Sequence, residues 1–328
     1  MSTNDPSVPT PAESKERMEQ ALFEIRRVIA GQEAMLERVL VCLLAQGHLL
    51  IEGVPGLAKT LTIKTTAGVL GGSFARVQFT PDLVPSDLVG TRIYRAGEGT
   101  FDTELGPVFC NFLLADEINR APAKVQSALL EVMQERQVTI GHDTFPVPDP
   151  FLAMATQNPI ESEGTYPLPE AQVDRFMLKI LIGYPEHDEE LTIVERQLIP
   201  PPELREALSL DDLKALQRAV FEIYVDPALI SYAVNLATAT RQPSEYVAYG
   251  ASPRGPISLV QSARALALIR GREYMLPEDL QALAKDALRH RLVLTYQALA
   301  EEVTPDSILD QVISSVPVPQ IDLTRSAA

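Results

Sequence analysis

Between His48 and Thr60 a short apolar run, Leu49-Leu50-Ile51, passes through Glu52 into Gly53-Val54-Pro55-Gly56-Leu57-Ala58-Lys59-Thr60, and a helical pattern opens directly behind Lys-Thr. A strand, a glycine-containing loop, Lys-Thr and a helix in that order form the context that a phosphate-binding loop needs. Gly53 and Gly56 let the backbone turn tightly and aim its N–H groups inward. The helix that starts near Lys59 adds the positive end of its dipole to the same anion. In this reading Lys59 reaches the β- and γ-phosphates and the Thr60 hydroxyl ligates magnesium. The residue before Lys59 is Ala58, where the generic pattern has glycine.

The rest of the chain is arranged around that stretch. Residues 1–13 are rich in Ser, Thr and Pro and read as a disordered tail. Two helical patterns follow, one through Met18, Leu22, Ile25 and Ile29, the other through Leu36, Val39, Leu40, Leu43 and Leu44. Residues 74–79 alternate like a strand, and 112–116 are almost unbroken apolar residues, as in a strand buried on both faces. Residues 138–147 carry a hairpin signal around Gly141-His142-Asp143, and 151–156 and 176–182 read as further strands. Strands separated by helices imply a parallel, helix-covered sheet, an α/β fold. The connection 81–106 is long for such a core, the mark of an insertion with a task of its own. After Pro185 no strand pattern follows, only helical ones, so the expected division is 14–184 for an α/β nucleotide-binding domain, 185–315 for an α-helical lid and 316–328 for a loose tail.

At 328 residues the chain has room for two domains. Its net charge of −16, from 28 Lys+Arg against 44 Asp+Glu, disfavours nucleic acid and anionic membrane as partners. Two cysteines, Cys42 and Cys110, form no disulfide framework, which suits a reducing, cytoplasmic compartment. The four histidines are scattered and make no zinc motif, and no apolar run approaches the ~18 residues of a membrane span.

Asp116, at the end of the 112–116 strand, is the natural second half of the phosphate site, holding magnesium directly or through water. The adjacent Glu117 would polarise the water that attacks the γ-phosphate. Three further residues each keep two readings on sequence grounds. Asn158 either orients the attacking water from a strand end or makes an ordinary Asn-Pro turn with Pro159. Arg175 either stabilises a transferred phosphoryl group or pairs with Asp174 or Glu170 on the surface. Arg254 would place a cation at the positive end of a helix dipole, which calls for an anion there, a phosphate or a carboxylate from elsewhere in the fold. Arg120 follows the two acids closely, and its role stays open between a structural one and contact with an adjacent subunit.

Taken together these residues resemble the MoxR family of AAA+ ATPases. The resemblance runs over nearly the whole chain, from Ile29-Ala30-Gly31-Gln32 onward. Its most specific parts are residues 53–60, with Ala58 typical of the family, then Asp116-Glu117-Ile118-Asn119-Arg120-Ala121 and residues 168–176. It implies an AAA+ doubly wound parallel sheet with a C-terminal α-helical lid and with ATP and Mg2+ as cofactors. Val28, Ile29 and Gln32 would join the adenine pocket, and the loop from Gly53 to Leu61 with Asp116 would hold the phosphates. Asn158 then resembles the first sensor, Arg175 an arginine finger acting on a neighbouring subunit, and Arg254 the second sensor, in cis or in trans. The resemblance further implies a homo-oligomer, usually a hexameric ring, and partners carrying a von Willebrand factor A domain. The function it implies is an ATP-driven chaperone that remodels partner proteins or metalloprotein complexes. The alternatives are a nucleotide-gated scaffold with little turnover and, against the charge, a DNA-directed motor.

Overall fold

Thr10 opens the first helix with a capping box: its N–H donates to the Glu13 carboxylate at 2.8 Å, and the Glu13 N–H donates back to its hydroxyl at 3.3 Å. In the computed structural model, which describes residues 8–54, 56–97, 99–158, 165–200 and 202–321, this helix is α1 (Pro11–Val28). The tail expected to Glu13 is therefore already helical from Pro11; residues 1–7 lie outside the described residues. Next come α2 (Glu33–Leu44), β1 (Leu49–Gly53), α3 (Lys59–Val69) and β2 (Phe74–Gln78). The long connection after it holds a short helix, α4 (Pro85–Val89), and an antiparallel hairpin of β3 (Gly90–Arg95) and β4 (Thr100–Leu105). Then follow β5 (Phe112–Asp116), α5 (Ala123–Glu135) and the expected hairpin, β6 (Gln137–Ile140) with β7 (Asp143–Pro146). The elements β8 (Leu152–Gln157), α6 (Glu170–Val173) and β9 (Leu178–Ile182) complete this part.

Five of these strands make one parallel sheet in the order β2-β5-β8-β1-β9. Alternate residues point to opposite faces, and each face has its own apolar cluster. Leu49, Ile51, Phe112, Leu114, Leu152 and Met154 join one cluster, and Leu50, Leu113, Ala115, Ala153 and Ala155 the other. That is why β5 reads as an unbroken apolar run: it is covered on both sides. Helix α5 covers the second face through Val125, Leu129 and Val132. The first face continues through α1 and α2 into the C-terminal helices. Cys42 and Cys110 are buried, free thiols in different clusters.

The C-terminal part comprises α7 (His187–Gln197), α8 (Leu210–Glu222), α9 (Pro227–Ala239), β10 (Val247–Tyr249), α10 (Arg254–Ile269), α11 (Pro277–Leu288), β11 (Val293–Leu294), α12 (Tyr296–Ala300) and α13 (Pro305–Ser315). The expectation that no strand follows Pro185 is corrected here, because β10 and β11 pair antiparallel. Each is too short for alternation to reveal it. Val316 and Ile321 pack partly buried against the core, so the segment expected to be loose from Val316 is docked as far as Ile321; residues 322–328 lie outside the described residues. No helix among the described residues is long and apolar enough to cross a membrane.

His48 ties the sheet to its covering layer at the amino end of β1. The Ala153 N–H donates to Nδ1 at 3.1 Å, so Nε2 carries the proton and donates to the Met133 carbonyl at 3.0 Å. Burial, reinforced by the nearby Arg136 guanidinium, pushes its pKa down to about 3. The folded chain thus binds this proton far more weakly than the unfolded chain, whose histidine titrates near 6.5. The stability contribution is complete above pH 6.5 and is lost as pH falls toward 3, by about 2 kcal/mol at pH 5. A His48→Gln variant, whose amide replaces both hydrogen bonds without a titration, should lose less stability between pH 7.5 and 5. Urea midpoints at the two pH values test this; equal losses in both proteins would remove His48 as the cause.

Candidate functional site

Two glycines at the end of β1 and in the loop behind it act for different reasons. Gly56 has φ +88°, and a side chain there would meet nothing within 4 Å, so it serves the left-handed conformation alone. A Cβ on Gly53 would lie 2.6 Å from the Ile182 carbonyl oxygen. Gly53 therefore permits the close approach of β1 to β9, and the expectation that it serves the turn is corrected. Ala58 also adopts the left-handed region, φ +54°, immediately before α3 begins at Lys59. The Lys59 ammonium reaches back across the loop and donates to the Gly53 carbonyl at 2.5 Å. Burial lowers its pKa, while Asp116, Glu117 and Glu52 pull it back up. Val54 packs partly buried against the core; Pro55 lies outside the described residues.

The loop faces a cavity of about 450 Å³ at the carboxyl ends of β1, β5 and β8. In open α/β sheets this is where ligands bind. Gly53, Gly56, Leu57, Ala58, Lys59, Thr60 and Leu61 line it from one side and Asp116, Glu117 and Asn158 from the other. Thr156 organises the two acids: its hydroxyl donates to Asp116 Oδ1 at 2.6 Å and accepts the Glu117 N–H at 2.8 Å. The second oxygen of Asp116 accepts Arg76 Nη2 at 2.6 Å and Nε at 3.1 Å. Arg76 Nη2 also donates to Gln78 Oε1 at 2.6 Å, which turns the Gln78 amide so that its Nε2 donates to Glu117 Oε2 at 2.7 Å. Arg120 reaches the same Glu117 oxygen at 2.9 Å, so Arg120 contacts the candidate site within its own chain.

A second, narrower cavity of about 110 Å³ adjoins the first through Gly56, Leu57, Ala58 and Leu61. Val28, Ile29 and Gln32 line it, and Pro185, Ile193 and Arg196 close it from the α7 side. The apolar floor and its continuity with the loop are what an adenine ring next to a phosphate site requires.

Arg175 and Arg254 stand apart from both cavities. They line a third one, of about 310 Å³, together with Gln46, Gly47, His48 and Met177. His48 and Met177 are joined by a 2.8 Å backbone hydrogen bond at the amino ends of β1 and β9. The phosphate loop lies at the carboxyl end of β1, five residues on, or about 16 Å away at ~3.3 Å per residue. The only anionic partner that Arg254 has among the described residues is Asp174, at 3.9 Å, the carboxylate alternative weighed from the sequence. Arg175 makes no side-chain hydrogen bond or ion pair among the described residues.

Arg76, Gln78 and Thr156 were not among the expected site residues. The sequence carries one trace of the first two: they are two apart on a strand and so share a face. Which face meets Asp116 depends on the β2–β5 register, Gln78 opposite Asp116, and on strand order, neither visible in one strand.

With this geometry in hand, comparison with known proteins is specific. Residues 48–178 match the AAA family of ATPases associated with various cellular activities, and residues 239–312 match the AAA lid domain. Chaperone MoxR1 of Mycobacterium tuberculosis is 56% identical over 313 residues, covering 93% of this chain and 83% of the relative. Protein MoxR of Paracoccus denitrificans is 30% identical over 335 residues, covering 92% of this chain and 96% of the relative. The crystal structure of a candidate ATPase from Cytophaga hutchinsonii superposes with a TM-score of 0.88 at 44% identity, covering 94% of this chain and 96% of that one. The parallel sheet with its loop at the carboxyl edge, the lid match and these relatives agree: the chain belongs to the MoxR family of AAA+ ATPases.

Proposed function

We propose that this chain binds ATP with magnesium and hydrolyses it to remodel partner proteins as an assembly of several copies. The observation that carries this reading is that Lys59, Thr60, Asp116, Glu117 and Asn158, drawn from one helix and the ends of two strands, line one cavity. Lys59 would bind the β- and γ-phosphates, and the backbone of residues 53–61 and the α3 N-terminus would cradle them. Glu117 would take a proton from the attacking water, which Asn158 would orient from the end of β8. Val28, Ile29 and Gln32 would hold the adenine. Arg175 and Arg254 would serve the cavity of an adjoining copy. We place the division between the nucleotide-binding part and the lid near Pro185.

Magnesium fits the donor set. Among the described residues no cluster of three or more His, Cys, Asp or Glu is present. Thr60 and Asp116 would leave most coordination positions to phosphate and water, as this ion prefers. Both Asp116 oxygens are already engaged, by Thr156 and Arg76, which favours contact through water. When bound, the ion neutralises charge on the phosphates.

The chaperone role draws on the relative named Chaperone MoxR1. A partner with a von Willebrand factor A domain, a hexameric ring and a cytoplasmic location complete the proposal as the family resemblance implies them. One observation favours the scaffold reading as a runner-up: Gln78 and Arg120 both hold the same Glu117 oxygen, Oε2, and so tie the carboxylate to its own chain. A DNA-directed motor finds no support in a chain of net charge −16.

Phosphate-release assays on the assembled protein separate these readings. Lys59→Ala should abolish nucleotide binding, whereas Glu117→Gln should retain ATP and stop turnover. Wild-type turnover no faster than that of Glu117→Gln would leave only the scaffold.

Arg175→Ala should keep nucleotide affinity and lower turnover ~10³-fold or more, as loss of an arginine finger does. Copies of this variant mixed with Glu117→Gln copies should regain activity, because the latter supply the missing guanidinium; unaltered turnover in the single variant would remove Arg175 from the site.

A further inference from the structure

Arg291, only 1% exposed, is planted after α11 and reaches into the segment around Arg175. Its Nε donates to Asp174 Oδ1 at 2.8 Å. Its Nη2 donates to the carbonyls of Asp174 at 3.0 Å and Phe176 at 2.8 Å and to Ser258 Oγ at 3.1 Å. Its Nη1 donates to the carbonyls of Met177, at 3.3 Å, and Ala287. One guanidinium thereby fixes the residues on both sides of Arg175.

The Asp174 carboxylate extends the same contact to the other arginine. Ser252 Oγ lies 2.9 Å from each of its oxygens and accepts the Arg254 N–H at 3.1 Å, and Arg254 Nη1 stands 3.9 Å from Oδ2. A buried ion pair contributes little net stability, because desolvating both charges offsets most of their attraction. What it does provide is a fixed geometry, with Arg donors and carboxylate acceptors meeting in few orientations.

We infer that Asp174, Arg291 and Ser252 form a positioning clamp that locks Arg175 and Arg254, from two distant stretches of the chain, into one guanidinium pair presented together to an adjoining copy. This rests on the proposal that Arg175 acts on a neighbour. The clamp residues touch no nucleotide; they act by holding the pair. A lid displaced from the sheet breaks the Ser252–Asp174 and Arg291–Asp174 contacts together, so lid position governs whether the pair exists. A misplacement of about 1 Å costs up to ~10²-fold in rate.

The test uses mixed assemblies of full-length chains. Arg175→Ala copies keep an intact phosphate cavity and have no guanidinium to donate; Glu117→Gln copies donate a guanidinium and do not turn over. Ser252→Ala, which leaves the Arg291–Asp174 pair in place, is added to one kind of copy at a time; Asp174→Asn is a harsher companion. Added to the donating Glu117→Gln copies, Ser252→Ala should lower the recovered hydrolysis ~10-fold or more; Asp174→Asn should lower it further, toward ~10²-fold. Added to the accepting Arg175→Ala copies, Ser252→Ala should leave recovery unchanged, and binding of a fluorescent ADP analogue by each variant should stay within about twofold of its parent. A folding defect carries no such donor–acceptor asymmetry.

Full recovery with Ser252→Ala and Asp174→Asn donors overturns the clamp and leaves the reading of Arg175 standing. Equal loss from either kind of copy also overturns it. No recovery with the unaltered donors overturns the action of Arg175 in trans, and the clamp with it.

Discussion

The Thr156 hydroxyl holds the chemical edge of the sheet together. Because β5 and β8 pair parallel with Ala115 opposite Ala155, Thr156 comes to lie beside Asp116 and bonds both that carboxylate and the next N–H. Glu117 is thereby held at φ +56°, a left-handed conformation that costs a β-carbon residue about 1–2 kcal/mol. The chain leaves the strand sharply there and enters a single 3₁₀ turn, Ile118–Arg120. Without that turn Glu117 would continue the alternation of β5 onto a face of the sheet. With it, two successive acids both face the cavity.

The cations at this site outnumber its acids before any ligand is considered. Lys59, Arg76 and Arg120 stand against Asp116 and Glu117, in a chain whose overall charge is strongly negative. Opposite charges in contact near a protein surface attract by about 4 kcal/mol, so the triphosphate proposed for this cavity would compete with the two acids for these cations. Lys59 meets the strongest demand, since it is the cation set within the loop itself. Arg76 and Arg120 keep the acids from repelling each other and the phosphate while the site assembles. The arrangement makes the acids a matched pair, each with its own guanidinium.

Much of this was legible in the sequence where the signal is local. The loop 53–60, the buried strand Phe112–Asp116 and the helices of the lid are carried by spacing within one element. The expected strand at 112–116 matches the observed one residue for residue. What the sequence hid depends on partners far along the chain. Arg76 meets Asp116 across 40 positions, and Arg291 meets Asp174 across 117. Gly53 looked like a turn glycine because only β9 shows what a side chain there would strike. The helical start at Pro11 did leave a local trace, the capping pair Thr10 and Glu13, outweighed by the Ser/Thr/Pro-rich composition around it.

The placement of Arg175 and Arg254 constrains how copies of this chain can meet. The phosphate cavity opens at the carboxyl edge of the sheet and the two arginines at its amino edge, so one strand length separates what the proposed chemistry needs side by side. No side chain spans that distance within one copy. A two-fold dimer joins the same patch on both partners, and one patch does not contain both edges. Under the roles proposed for these arginines, only head-to-tail contact brings the amino edge of one copy to the carboxyl edge of the next. Repetition of that contact closes into a ring or runs on as a helix, depending on the rotation between neighbours. In either case each cavity is served by one neighbour and each arginine pair serves the other. The unit that hydrolyses a nucleotide is then the junction between two chains, and the geometry of the lid enters the chemistry through it.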